Sequence, residues 1–366
     1  MHTNAIESWL ARMYRHAIRT GEPVNWWFHV QLEEPGRLET THPECASRII
    51  RSPYTLSEGT KFFREFYRLC RRMRFDVIHV HADVMSAPFL TAARLAGHPR
   101  MIVHVHNADE NIPTSSRLKA ALFRPLFRGI CFALADRIVG ISNHTLDTFL
   151  HGRRRRQGRD VVHYYGIDPM PFIEMQIDRT GFRRELGFPD SARILLFAGR
   201  MAPEKNPLFA LEVLAEMRRI DPNVVGVFAG AGGLEAQLRE QASVLNMESG
   251  FRFLGWRTDV ADIMHCSDWF ILPRPELPME GFGIAVVEAQ LAGLRLLLSR
   301  GIADDPLLPT AVYRRLPLDA GAAAWARAAC ELWNAPAPSK AAALAALRAS
   351  PMDMDRALDA LLGLYA

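Results

Sequence analysis

Along this 366-residue chain, short apolar runs alternate with longer stretches of helical spacing, and the rhythm occurs twice. In the first half the apolar runs are Asn25–Val30, Asp76–Val80, Met101–Val105 and Arg137–Ile141, with helical stretches around 60–74, 84–96, 115–134 and 143–150. After the middle, strands are expected near 193–198, 224–229, 251–254, 268–272 and 294–298, again with helices between. Strands joined by helix-length connections pair in parallel, so the pattern predicts an α/β fold with two parallel sheets, each covered by helices. The length suffices for two cores of ordinary size. Gly166, Pro169, Pro171, Gly181, Gly187 and Pro189 punctuate one segment and place the boundary there. The expected division is an N-terminal domain over 1–168, a linker over 169–190, a C-terminal domain over 191–350 and a terminal helix over 351–366.

Composition narrows the class. Hydrophobic residues make up 49% and charged residues 23%, the proportions of a soluble globular protein. The nearest approach to a membrane span, Gly129 to Ile141, is interrupted by Asp136 and Arg137. Glu7, Arg12, Arg15 and Arg19 among the first apolar residues argue against a secretory signal. The five cysteines are odd in number and scattered without metal-ligand spacing, which fits the cytoplasm.

Charge is unevenly spread. Residues 1–170 hold 24 Lys/Arg and 16 Asp/Glu, a balance of +8, whereas residues 171–366 hold 20 and 24, a balance of −4. A basic half suggests an anionic surface as partner. In the stretch from Lys61 to Arg74, Phe62, Phe66, Leu69 and Met73 fall on one side of a helix and arginines on the other. Such a helix either packs its apolar side and solvates its arginines, or meets anionic lipid headgroups at the inner membrane face. Arg153 to Arg156 form a second basic cluster. No nucleic-acid module accompanies the charge, so nucleic acid is not expected as a partner.

The segment Glu280-Gly-Phe-Gly-Ile-Ala-Val-Val-Glu288 carries the most chemistry. A glycine-broken turn runs into an apolar helical stretch from Ile284 to Leu294, so the amides of Phe282, Gly283 and Ile284 form a helix N-terminus suited to an anion. One carboxylate stands just before that end and another one turn inside, which suits a ligand with both phosphates and hydroxyls. Upstream, the apolar run Ile194–Ala198 is followed by Gly199, Arg200, Glu204, Lys205 and Asn206. Arg200 and Lys205 thus stand on a strand-to-helix loop, the edge where open parallel sheets bind ligands, and together could neutralise a diphosphate. Gly230 and Gly232 follow the next strand and allow a tight turn, without the third glycine or ribose carboxylate of a dinucleotide fingerprint. His79, His81, His104 and His106 suggest a metal at first sight. Strand alternation is expected to separate their faces, with His104 structural, so no metal is expected there.

Gly199-Arg200 with Lys205-Asn206, Gly230-Ala-Gly232 and Glu280-x7-Glu288, in this order and spacing, resemble the C-terminal domain of the retaining GT-B glycosyltransferases of family 4. The likeness continues upstream through Asp76-Val-Ile-His79-Val-His81, His104-Val-His106-Asn107, Ala135–Ser142 and Gly166-Ile-Asp168, and so covers nearly the whole chain. More narrowly, the chain resembles the subgroup that builds bacterial exopolysaccharides and capsules.

The resemblance implies two Rossmann-like domains with parallel sheets facing across a cleft that holds the active site, the N-terminal domain on the acceptor side. The C-terminal domain would bind the nucleotide-sugar, and the last helix would cross back to the first domain. It implies a metal-independent hexosyltransferase without cofactor, moving a sugar from a UDP- or GDP-linked donor to a lipid-linked or growing polysaccharide acceptor with anomeric configuration retained. His106, Arg200, Lys205 and Glu280 would be catalytic. Gly199, Arg200, Lys205, Gly230, Phe282, Gly283, Ile284 and Glu288 would hold the donor, Glu288 taking the ribose hydroxyls. His106 would hold a hydroxyl near the donor sugar. The alternatives are a nucleotide-sugar epimerase of the same fold and a non-catalytic subunit that binds nucleotide-sugar.

Two departures stand out. Such transferases open with a short strand and a glycine-rich loop, but here Met1 leads almost directly into a helical pattern at Ile6, and Asn4-Ala5 sits where two glycines are expected. Either the start is assigned too far downstream, or the N-terminal sheet lacks its first strand and acceptor binding is impaired. The turn Pro273–Met279 also varies the approach to Glu280.

Overall fold

The computed structural model describes residues 5–31, 43–98, 100–107, 117–173 and 178–366. Met1, Asn4, residues 115–116 of an expected helix and residues 174–177 of the expected linker lie outside the described residues. The chain forms two compact units, residues 1–166 with 354–366, and residues 167–353.

In the second unit six strands form one parallel sheet: β7 (Arg193–Ala198), β8 (Val224–Ala229), β9 (Phe251–Gly255), β10 (Trp269–Leu272), β11 (Arg295–Ser299) and β12 (Tyr313–Leu316). Their order is β12-β11-β10-β7-β8-β9. Ile194 to Phe197 and all of β8 are buried, as a parallel sheet covered on both faces requires. The helix Pro207–Ile220 packs Ala210, Leu211, Val213, Leu214 and Met217 onto the sheet, and its proline at the first position has no N–H to leave unsatisfied. Phe172 of the short helix Met170–Ile173 packs on the core of this unit, and Arg179–Glu185 is a further helix.

In the first unit, β3 (Val77–Val80), β4 (Arg100–Val105), β5 (Arg137–Gly140) and β6 (Asp160–Val162) form a four-stranded parallel sheet in sequence order. The strands β1 (Phe28–Val30) and β2 (Ile49–Arg51) pair in parallel as a separate two-stranded sheet. Three strands were not anticipated: β2, β6 and β12. They are three or four residues long, carry charged side chains, and lie at sheet edges or in the small sheet, so their apolar signal is weak. The helix Thr60–Met73 buries Phe62, Phe66, Leu69 and Cys70 and leaves Lys61, Arg64, Arg68, Arg71 and Arg72 exposed. The terminal helix Met354–Gly363 joins this unit, with the Ala357 carbonyl 2.8 Å from His163 Nε2 and Asp355 2.6 Å from His16 Nε2. In the second basic cluster, Arg155 pairs with Asp147 at 2.8 Å and Arg153 lies over the Phe132 ring, which is a structural use.

Both sheets use one device to set strand order. An aspartate just before β5 or β10 accepts from the backbone N–H at the start of the neighbouring strand: Asp136 Oδ2 from Met101 N and Asp268 Oδ2 from Ile194 N, each at 2.8 Å. Asp268 also pairs with Arg179 at 2.7 Å and with the buried Arg183 at 3.2 Å, whereas Asp136 is exposed. Removing Asp268 strands a buried guanidinium, so Asp268→Ala should cost the second unit about 3 kcal/mol or more. Asp136→Ala removes one capping bond and should cost the first unit about 1 kcal/mol. Urea unfolding of the two variants, with a probe in each unit, checks this ranking.

Candidate functional site

The order of the second sheet places β7 between β10 and β8, so the chain leaves the C-terminal ends of β7 and β10 towards opposite sides of the sheet. At such a switch point the two outgoing loops diverge and leave a crevice, where open α/β sheets take their ligands. Residues 199–206 form one loop and residues 273–283 the other.

The two loops are tied by charge. Lys205 Nζ lies 2.5 Å from Glu280 Oε2, and Arg274 Nη1 lies 3.1 Å from the same oxygen. Asn206 Nδ2 donates to the Pro273 carbonyl at 3.1 Å. All three charged side chains are largely buried, so the carboxylate is screened by its cations rather than by water. Burial pushes the Glu280 carboxyl up, but Lys205, then Arg274 and more distantly Arg200 outweigh it and hold it below the usual carboxylate range. The Glu280 N–H donates to the Gly301 carbonyl at 2.8 Å, which fixes the backbone from which the carboxylate projects.

Arg200 is different. Its side chain is 61% exposed and pairs with Glu204 at 2.7 Å, a contact that exchanges readily with solvent. Its loop is nevertheless firmly placed, because Gly199 N donates to Ala229 O at 3.0 Å and Met201 N to Ala231 O at 3.0 Å. Gly230 makes that approach possible: at φ +140 a Cβ there would lie 1.9 Å from the Gly199 carbonyl oxygen. The glycine expected to border the donor therefore has a packing reason of its own.

After Glu280 the chain turns through Gly283, whose φ of +84 favours glycine, into the helix Ile284–Leu291. The helix is shorter than expected and ends at Leu291, since Gly293 follows at φ +80 before β11. Phe282 is buried and Glu288 half-buried one turn inside the helix. The structure thus gathers Gly199, Arg200, Lys205, Gly230, Glu280, Gly283 and Ile284 at the ends of β7, β8 and β10. Arg274 was missed by sequence reasoning; the available signal was a cation six residues ahead of a glutamate in a loop that follows an apolar strand.

His106 belongs to the first unit, on the loop after β4. Its Nε2 is 2.8 Å from His81 Nδ1 and its Nδ1 is 2.6 Å from the Tyr165 hydroxyl, so both ring nitrogens have internal partners. Its N–H donates to Asp83 Oδ1 at 2.7 Å, and Asp83 also accepts from Asn107 Nδ2 at 2.8 Å. Burial pushes the Asp83 carboxyl above its ordinary value, against those bonds.

The separation of histidine faces expected from strand alternation is wrong. Side chains two residues apart share a face of a strand, so His79 and His81 on one side of the pairing and His104 and His106 on the other form one layer. His79 stacks near His81 with ring centroids 4.3 Å apart, His104 near His106 at 4.5 Å, and His79 Nε2 lies 3.2 Å from His104 Nδ1. Trp9 of the helix Ala5–Thr20 lies against His81, His104, His106, His163 and Tyr165. One nitrogen from each of His79, His81 and His104 falls within 4.8 Å of the others. Two facing pairs point their nitrogens at each other, His81 at His106 and His79 at His104, as a hydrogen-bonded array.

Comparison with known proteins agrees with the fold. Residues 6–170 match the family described as Glycosyltransferase Family 4, and residues 178–302 match Glycosyl transferases group 1. The chain belongs to glycosyltransferase family 4 and has the GT-B fold. Over 250 residues the chain is 26% identical to the UDP-Gal:alpha-D-GlcNAc-diphosphoundecaprenol alpha-1,3-galactosyltransferase of Escherichia coli, covering 67% of this chain and 63% of that protein. It is 26% identical to the putative glycosyltransferase EpsF of Bacillus subtilis over 295 residues, 80% of this chain and 74% of that one. The crystal structure of Anabaena Alr3699/HepE in complex with UDP and glucose superposes with a TM-score of 0.77 at 17% identity, over 98% of this chain and 95% of that one.

The histidine layer generates a pH dependence. Burial first, and the neighbouring histidines second, lower His79, His104 and His106, and burial with His163 brings His81 from 6.5 to about 3. The folded unit therefore holds these rings neutral where the unfolded chain would protonate them. Their contribution is complete above the unfolded value of 6.5 and is lost progressively as the pH falls towards about 3. The urea midpoint of the first unit should drop steadily below that upper value, and His104→Phe should flatten the drop.

Proposed function

We propose that this glycosyltransferase moves a hexose from a nucleoside-diphosphate donor, UDP- or GDP-linked, to a hydroxyl of a lipid-linked or growing polysaccharide acceptor, with retention of configuration and without a metal ion. The observation that carries the reading is the buried Glu280 held by Lys205 and Arg274 at the sheet's switch point, with Arg200 on the adjoining loop. A diphosphate is the ligand such cations and a helix start are suited to bind, and a carboxylate among them suits sugar hydroxyls. The E. coli relative carries UDP-Gal and a diphosphoundecaprenol in its name, which supports a uridine donor and a lipid-linked acceptor here.

In the step proposed, the bond between the anomeric carbon and the β-phosphate oxygen breaks as the acceptor oxygen bonds to that carbon from the same face. The acceptor's proton passes to the departing phosphate. Lys205, Arg200 and the amides of Phe282, Gly283 and Ile284 stabilise the negative charge that accumulates there. Glu280 stabilises the positive charge developing on the sugar, Glu288 binds the ribose hydroxyls, and Gly199 and Gly230 let the backbone approach the nucleotide. His106 holds a substrate hydroxyl, which requires it to give up Tyr165 or His81.

The same reading places the protein peripherally on the inner membrane face. No helix of the described residues is long and apolar enough to cross a membrane. The helix Thr60–Met73 borders two grooves instead. One of about 290 Å³ is lined by Lys61, Arg64, Arg68 and Arg72 with Tyr54, Glu65 and Leu69. The other, about 400 Å³ and apolar, is lined by Phe62, Phe63, Met85, Pro88 and Phe127 among others. Leu122 and Leu126, on the same helix as Phe127, are 67% and 54% exposed. Cations beside exposed apolar side chains match anionic headgroups over acyl chains.

Lys205→Ala and Glu280→Ala should each lower kcat for sugar transfer by about a hundredfold, measured as nucleotide release in the presence of acceptor, with no effect of EDTA. Unchanged turnover in either variant overturns the site. Isomerisation of the donor without acceptor would identify an epimerase instead. Binding to anionic vesicles should weaken about fivefold for each of Arg64→Ala and Arg68→Ala in sedimentation assays, and equal binding to neutral vesicles overturns the membrane reading.

A further inference from the structure

Every cation of the two donor loops is engaged with a carboxylate: Arg200 with Glu204, and both Lys205 and Arg274 with Glu280. A diphosphate that recruits Lys205 competes with Glu280 for the same ammonium. Glu280 then stands in a buried site with one close cation fewer. A carboxylate so placed either takes up a proton or swings towards solvent, and in neither case can it stabilise a positive sugar.

We propose that Arg274 is a positioning residue of the transfer reaction, holding Glu280 in place when the donor's diphosphate draws Lys205 away. The inference rests on reading this site as the donor site. Arg274 is built for that task by anchors that do not involve Lys205. Its Nε donates to the Pro278 carbonyl at 2.9 Å, and its own carbonyl accepts from Ser299 Oγ at 2.5 Å. Its side chain is 10% exposed, and a planar guanidinium so fixed cannot follow a phosphate as a flexible lysine can. The groups facing Glu280 are Lys205 from the turn after β7, Arg274 from the loop after β10 and, at longer range, Arg200. Arg200 is exposed and engaged with Glu204, so Arg274 is the close cation that remains.

A plain turn staple would make the same bonds to Pro278 and Ser299, and proton linkage tells the two roles apart. UDP-glucose and GDP-mannose suit the test, because a diphosphate esterified at both ends does not titrate near neutral pH. Calorimetric binding in buffers of different ionisation enthalpy should give wild-type enthalpies that do not depend on the buffer. For Arg274→Gln the enthalpy should vary with the buffer, with uptake of about one proton per donor bound as Glu280 neutralises. Its kcat should fall about a hundredfold with KM changed much less. Arg274→Lys, which keeps the charge, should restore buffer independence. Arg274→Gln that binds donor with buffer-independent enthalpy overturns the proposal and leaves the donor site standing. Wild-type protein that binds neither sugar-nucleotide overturns the donor site itself, and the proposal with it. Should Arg274→Gln not fold, Lys205→Gln carries the test: Glu280 then has Arg274 before and after binding, so no proton should move, and any buffer dependence overturns the proposal.

Discussion

A buried carboxylate between two cations fastens the loops that leave the second sheet at its switch point. Because β7 and β10 are neighbours whose connections run to opposite sides, no backbone hydrogen bond of the sheet can join those loops. Side chains must do it: Lys205 reaches Glu280 from the other loop, Asn206 bonds the Pro273 carbonyl, and Arg274 braces Glu280 within its own loop. The arrangement is weak evidence for stability, since burying charge is costly even when it is paired. Under the proposed function its sense is chemical: cations and a helix start are collected at the edge where open α/β sheets take ligands.

The first unit concentrates polar groups differently. Four histidines on two adjacent strands share one face, with Trp9, His163 and Tyr165 against them. Each ring serves as a small, half-polar core residue with at least one nitrogen directed at another ring or a tyrosine hydroxyl, while His104 Nε2 is buried without a hydrogen-bond partner. Asp83 performs the anchoring on the loop after β4 that Gly301 performs for Glu280, fixing the backbone N–H of His106 as Gly301 fixes that of Glu280.

Much of this was legible before any coordinates. Buried parallel strands leave near-continuous apolar runs, and so β3, β4, β5 and β7 to β11 were found within a few residues. The strands β2, β6 and β12 were not, because short or edge strands with charged residues carry little such signal. Arg200, Lys205 and Glu280 could be read from their spacing around turn glycines. Arg274 stands off those glycines, its partner set by how residues 273–280 fold back, and only its place six residues ahead of Glu280 hinted at it; the histidine layer was misread through an error of strand periodicity rather than through lack of signal.

Local chemistry along the chain determined which segments are strands and helices, where turns must fall, and which residues can carry charge to a phosphate. Those properties depend on neighbours within a few positions, so they are written in the order of residues itself. The tertiary structure alone decided strand order, the pairing of Glu280 with two particular cations, the stacking of the histidines, and the enclosure of His106 by His81 and Tyr165. Each of these joins residues many positions apart, and burial, which only the assembled fold provides, is what gives them their electrostatic force.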